Sequence, residues 1–182
     1  KAQSKEHKLT EQTHTSKPLL GSLRFADGRG TVRMEDVYDT DIDDLWSALV
    51  DPSRLARWIA TVTGDLHVGG SFRASFTSGW DGSGRVTVCD SPQRLLVTLD
   101  PNGVDDVNEM TIEALLSRDG DKTRLVIEDS GFERDELAGH AAGWQTHLED
   151  LTEYLAGRKP GDWSTRWREL IPAYTAVAAN LQ

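Results

Sequence analysis

The sequence predicts an α+β fold, a curved antiparallel sheet covered by one long helix near the carboxy terminus. Two observations carry this. Leu137, Ala141, Trp144, Leu148, Leu151 and Leu155 recur at alternating four- and three-residue spacing, one stripe of an amphipathic helix. Almost everything before that stripe reads as short segments separated by Gly, Pro, Asn and Asp, so a sheet exists for the helix to cover.

Taken in order, residues 1–17 are polar and without periodicity, and read as a disordered tail. Leu19 to Phe25 suits an edge strand, and Asp27-Gly28-Arg29-Gly30 a turn. Thr31 to Tyr38 alternates as a strand, with Val32, Met34 and Asp36 on one side. Two short helices follow. Thr40 is the expected cap of the first, which carries Leu45, Trp46, Ala48 and Leu49. Pro52-Ser53 opens the second, expected over 54–60 with Leu55, Trp58 and Ile59. Leu66 to Val68 is expected to lead through a Gly69-Gly70 bulge into Ser71–Phe76, where Phe72, Ala74 and Phe76 share a face.

The next turn holds Trp80 at its tip, and Arg85 to Cys89 is a strand with Cys89 expected as a small buried residue. Asp90-Ser91-Pro92-Gln93 turns into Arg94–Leu99. Pro101-Asn102-Gly103 is a further turn, and Val104 to Asn108 a loop. Glu109–Leu116 and Thr123–Asp129 form a hairpin, which Ser130-Gly131-Phe132 is expected to break. Gln145, Thr146, Glu149, Asp150 and Glu153 suit the solvated face of the long helix. Gly157 caps that helix and Pro160 stops it. Beyond, Trp163, Trp167, Leu170, Tyr174, Val177 and Leu181 repeat the stripe. Pro172 within it predicts a kinked helix or two short ones. This apolar face either packs back on the domain or pairs with a second copy as a homodimer through Trp163–Leu181, and packing back is favoured.

Composition excludes several classes. A net charge of −10 argues against a general nucleic-acid binder, which needs a basic footprint. No apolar run approaches the roughly 18 residues that span a bilayer, and no secretory signal is visible. One cysteine excludes an internal disulfide framework and suits the cytoplasm. Asp39, Asp41 and Asp43 start like a calcium loop. Asp44 then replaces the turn glycine and Val50 the twelfth-position glutamate, so a helix start explains them better. The glycines of 79–84 precede a strand and not a helix, which removes a phosphate cradle.

The order of elements, with TDIDDLWSALVDPSRLARWIA at 40–60, VGGSFRASF at 68–76, GRVTVCDSPQRLLVTLD at 84–100, DKTRLVIEDSGF at 121–132 and GWQTHLEDLTEYLAG at 143–157, resembles the START-like (SRPBCC) superfamily. More narrowly it is similar to the homologues of the activator of heat-shock-chaperone ATPase, over residues 30–157. Trp58-Ile59 stands where that family often has two tryptophans. The resemblance implies a helix-grip fold over 18–157, with 158–182 a helical extension. It further implies a cavity between sheet and helix for apolar small molecules, and for some relatives catalysis or a chaperone partner in stress response. Fold alone does not decide among these.

The expected cavity wall comprises Phe72, Phe76, Met110, Ile112, Ile127 and Trp144, with Trp58, Trp80 and Phe132 near the rim. Asp129 alternates with Leu125 and Ile127 and should point inward, where a carboxylate must be paired, protonated or serving a ligand. His140 lies near the stripe edge and could share a proton with Asp129, although a structural anchor is the simpler role. His147 is expected at solvent or a strand edge. Glu136 and His140 have helical ligand spacing, but nothing further converges on them, and neither a metal nor a cofactor is expected. No nucleophile motif is present. The sequence therefore favours a non-catalytic binder of an apolar or amphipathic small molecule. An enzyme using Asp129 and His140, or a chaperone-partner module, is the alternative.

Overall fold

A computed structural model describes residues 18–100 and 109–182. The expected tail at 1–17, the turn at 101–103 and the loop at 104–108 lie outside the described residues. Eight strands form one antiparallel sheet: β1 (Gly21–Ala26), β2 (Arg29–Tyr38), β3 (Ala60–Gly64), β4 (Ser71–Phe76), β5 (Asp81–Asp90), β6 (Arg94–Asp100), β7 (Met110–Asp119) and β8 (Lys122–Phe132). Their order across the sheet is β1-β2-β8-β7-β6-β5-β4-β3. The helices are α1 (Ile42–Val50), α2 (Pro52–Leu55), α3 (Leu137–Leu155) and α4 (Trp163–Ala179). The architecture is the helix-grip α+β fold, with two short helices between β2 and β3. No described helix is long and apolar enough to cross a membrane.

Local chemistry sets these elements. Asp27-Gly28, both at positive φ, makes the two-residue turn that pairs Ala26 with Arg29. The cap of α1 is Asp41 and not Thr40. The Asp41 carboxylate accepts from the Asp44 amide at 2.9 Å, while the Thr40 hydroxyl donates to the Asp44 side chain. Ahead of α3, Glu133 and Glu136 form a reciprocal capping box across a single 3₁₀ turn. Gly157, at φ 71°, ends α3 as expected.

Four expectations along the sheet need correction. The second helix stops at Leu55, and Ala60 opens β3, a strand too short and polar to show alternation. Residues 65–70 are a loop, with Gly69 and Gly70 bonded to Val86 at its close and not bulged within a strand. Ser130-Gly131-Phe132 continues β8, because Gly131 (φ 116°) absorbs the register shift opposite Gly30 and Thr31. Cys89 is exposed, although it shares the inner face with its partner Leu95. A register shift between Val86 and Val88 turns it there.

The core lies between sheet and α3, where Leu137, Ala141, Leu148 and Leu151 are fully buried. Removing a buried leucine such as Leu148 costs about 2–5 kcal/mol in side-chain burial and cavity. The opposite face of α3 is not solvated as expected. Gln145, Thr146 and Asp150 are buried because α4 and the lead into β1 lie over them. Gln145 Oε1 accepts from Tyr174 Oη at 2.5 Å and from the Leu20 amide at 3.2 Å, and Arg166 makes a bidentate pair with Glu149 at 2.7 and 2.9 Å. The final stripe thus packs back on its own chain, as one helix running through Pro172.

Candidate functional site

A cavity of about 540 Å³ lies between the sheet and α3. Phe76 (β4), Leu99 (β6), Met110 and Ile112 (β7) and Asp129 (β8) form its sheet side, because alternate residues of adjacent strands share a face. Gly139, His140, Gly143, Trp144 and His147 line it from α3, one helical stripe. Trp163, Ser164 and Trp167 close it from α4. The two tryptophans stack at 6.0 Å, over a helix surface that the two glycines leave low. A Cβ at Gly143 would sit 3.4 Å from the Trp163 ring, and one at Gly139 would sit 3.9 Å from the Trp167 ring. The Trp167 indole N–H donates to the Gly139 carbonyl at 3.0 Å. At the far side, Trp80 folds back over Gly82 and meets Phe76 edge-on at 5.4 Å.

Three polar side chains define the electrostatics. Asp129 accepts from the Trp144 indole N–H at Oδ2, at 2.5 Å, while its buried Oδ1 has no hydrogen-bond partner among the described residues. Burial raises its pKa to about 7, against the opposing hydrogen bonds from Trp144 and the Ser130 backbone. The Trp163 indole N–H is likewise buried without a partner among the described residues. His147 is buried and not at solvent, with Nδ1 3.4 Å from the Thr77 hydroxyl and its ring among Phe76, Trp144 and Trp163. Burial pushes its pKa down to about 3, so it is neutral.

His140 does not engage Asp129. Among the described residues neither a hydrogen bond nor an ion pair joins them. Asp129 is turned to Trp144, whereas His140 stacks on Phe132 at 3.7 Å, and burial lowers its pKa. Both still line the same cavity. Glu136 lines it too, yet among the described residues no group of three metal ligands converges.

A second chamber of about 150 Å³ adjoins the first. Phe76, Leu99, Ile112 and Trp144 line both. The residues named from sequence divide accordingly. Phe76, Trp80, Met110, Ile112, Asp129, His140 and Trp144 line the larger chamber, while Trp58, Phe72 and Ile127 line only the smaller. Phe132 lines neither; it supports His140 from beneath. Sequence reasoning passed over Trp163, Trp167, His147 and the glycines facing them. The signal was the matched spacing of Gly139 and Gly143 with Trp163 and Trp167, small residues on one helix opposite large ones on another.

Residues 39–156 match the family described as Activator of Hsp90 ATPase homolog 1-like protein. No curated protein sequence matches. Among solved structures the chain is similar to CalU16 from Micromonospora echinospora, at 25% identity over 88% of this chain and 96% of that one, with a TM-score of 0.70. DynU16, a protein of the dynemicin biosynthetic locus, is 29% identical over 72% of this chain and 50% of its own, with a TM-score of 0.65. The protein encoded by BPP1335 from Bordetella parapertussis shares the fold at 22% identity, with 80% of this chain and 84% of that one covered and a TM-score of 0.67.

Proposed function

We propose that this chain, which belongs to the Activator of Hsp90 ATPase homolog 1-like family, binds a largely apolar small molecule in the larger chamber. One observation carries the reading. A cavity of about 540 Å³ with mostly aromatic and aliphatic walls holds two buried polar atoms, Asp129 Oδ1 and Trp163 Nε1, that have no hydrogen-bond partner among the described residues. Buried polar groups without partners each cost about 1–3 kcal/mol, so their survival at a cavity wall suits a ligand that supplies the partners. Such a ligand is flat enough to lie among tryptophan rings. It offers an acceptor to Trp163, and at Asp129 a donor to the carboxylate or an acceptor to the protonated acid.

Catalysis is the second reading, favoured by Asp129 alone. A carboxyl group with a pKa near 7 inside a ligand-sized cavity suits proton transfer at neutral pH. His140 is not needed for it.

Thermal denaturation of the wild type and of Met110→Trp, which narrows the chamber beside Asp129, across a panel of planar hydroxy- and keto-aromatics tests the reading. Binding predicts stabilisation of the wild type by some members and a smaller stabilisation of the variant by the same members. Equal stabilisation of both proteins contradicts it. A saturable complex with a chaperone that forms equally well with Met110→Trp moves the function to the surface.

A further inference from the structure

We infer that the smaller chamber is a separate apolar subsite, built to take a hydrocarbon group the size of a benzene ring. As the seat of the ligand's apolar end, it rests on the reading of the larger chamber just given; as a binding site for hydrocarbon, it stands on its own geometry.

Size is the first argument. The chamber holds about 150 Å³, a volume that in an apolar protein cavity takes up benzene.

The walls are the second. Ala60, Ala74 and Ala114 stand at inward strand positions, opposite Phe76, Val62 and Leu95 respectively. Three small residues among large neighbours, on three different strands, open one continuous space. Space of this kind inside an apolar wall is destabilising when left empty.

Polarity is the third. The two partnerless buried atoms, Asp129 Oδ1 and Trp163 Nε1, both belong to residues of the larger chamber only. In the smaller one the Trp58 indole N–H is already spent on the Ala48 carbonyl at 3.0 Å, so that ring offers hydrocarbon alone. Cys89, exposed and turned to the inner face, is the softest polar group there. The walls offer water few hydrogen-bond partners, whereas an apolar group gains contact with aromatic and aliphatic side chains.

Connection is the fourth. Phe76, Leu99, Ile112 and Trp144 line both chambers, and Trp144 is held in place by its bond to Asp129. One molecule can therefore present its polar, flat part to Trp163 and Asp129 and extend an apolar end past this partition.

The test uses benzene as the probe, titrated into methyl- and indole-labelled protein and followed by NMR. The expected result is saturable shifts of the Leu95, Val97 and Ala114 methyl signals, with the Trp163 and Trp167 indole signals unmoved. Ala114→Leu, which fills the chamber, should weaken benzene binding by about tenfold or more, a loss of about 1.4 kcal/mol. Should Ala114→Leu fail to fold, Ala74→Val fills the same space from the neighbouring strand. Benzene that shifts only the Trp163 and Trp167 signals, or that binds wild type and filled variants alike, overturns the subsite. A parallel titration with 2-naphthol reads the larger chamber separately. If it leaves the Trp163 indole unmoved while benzene behaves as expected, the larger-chamber reading fails and the subsite stands.

Discussion

The Trp144 indole N–H donates to Asp129 Oδ2 at 2.5 Å, joining the middle of α3 to the centre of β8 across the cavity wall. The bond fixes the ring that partitions the two chambers, and it leaves Asp129 Oδ1 alone. Burial in the apolar wall outweighs the hydrogen bonds from Trp144 and the Ser130 backbone and holds this carboxylic acid neutral up to about pH 7.

The sign of the resulting pH dependence follows. In the unfolded chain Asp129 loses its proton near the ordinary value of 3.8, whereas in the fold it keeps it to about 7. Its contribution to stability is full below 3.8 and is lost as pH rises to about 7. Asp129→Asn removes this loss, so the stability of the variant relative to wild type should rise by a few kcal/mol between pH 4 and 7 and then level. Paired urea denaturations at these pH values check it; a pH-independent difference contradicts it.

His147 acts in the opposite direction. Burial holds its folded pKa at about 3, below the ordinary 6.5, so stability present above 6.5 is lost as pH falls toward 3. The two slopes oppose each other between pH 4 and 6.5 and flatten the wild-type curve there. His147→Phe keeps the contacts with Phe76, Trp144 and Trp163 and removes one slope. Its melting temperature should therefore climb relative to wild type as the pH is lowered from 6.5 to 4.

Tyr174 ties α4 to the rest of the fold. Its hydroxyl donates to Gln145 Oε1 at 2.5 Å and accepts from the Gly21 amide at 3.0 Å. Tyr174→Phe strands a half-buried amide donor on β1, and should cost about 1 kcal/mol in chemical denaturation. A cost near zero would mean that α4 is held by its apolar contacts and the Arg166–Glu149 pair alone.

Gly139 lies in the first turn of α3 with room for a methyl group, the nearest atom to a Cβ there being Trp167 Cζ2 at 3.9 Å. Gly139→Ala should stabilise by about 0.5–1 kcal/mol through backbone entropy. Destabilisation would show that Trp167 needs that surface flat.

The sheet and α3 were legible because burial on one face imposes a period, two for strands such as Phe72–Phe76 and 3.6 for Leu137–Leu155. What the sequence concealed depends on contacts between distant segments. Gln145, Thr146 and His147 look like a solvated face until α4 and the start of β1 cover them. Asp129 was readable as inward from its alternation, but its partner was not. Asp129 bonds Trp144, and Phe132 claims the His140 ring. The tryptophans of α4 read only as an apolar stripe, since nothing local says that Trp163 leaves its N–H unbonded at a cavity.

Native mass spectrometry of gently purified protein, with denaturing extraction of whatever is bound, tests the central claim most directly. Ligand binding predicts one small molecule per chain, planar and oxygen-bearing with an apolar end, and a reduced amount of it in Met110→Trp. A chain that is empty at every stage of purification, or one whose bound molecule is undiminished in Met110→Trp, contradicts it.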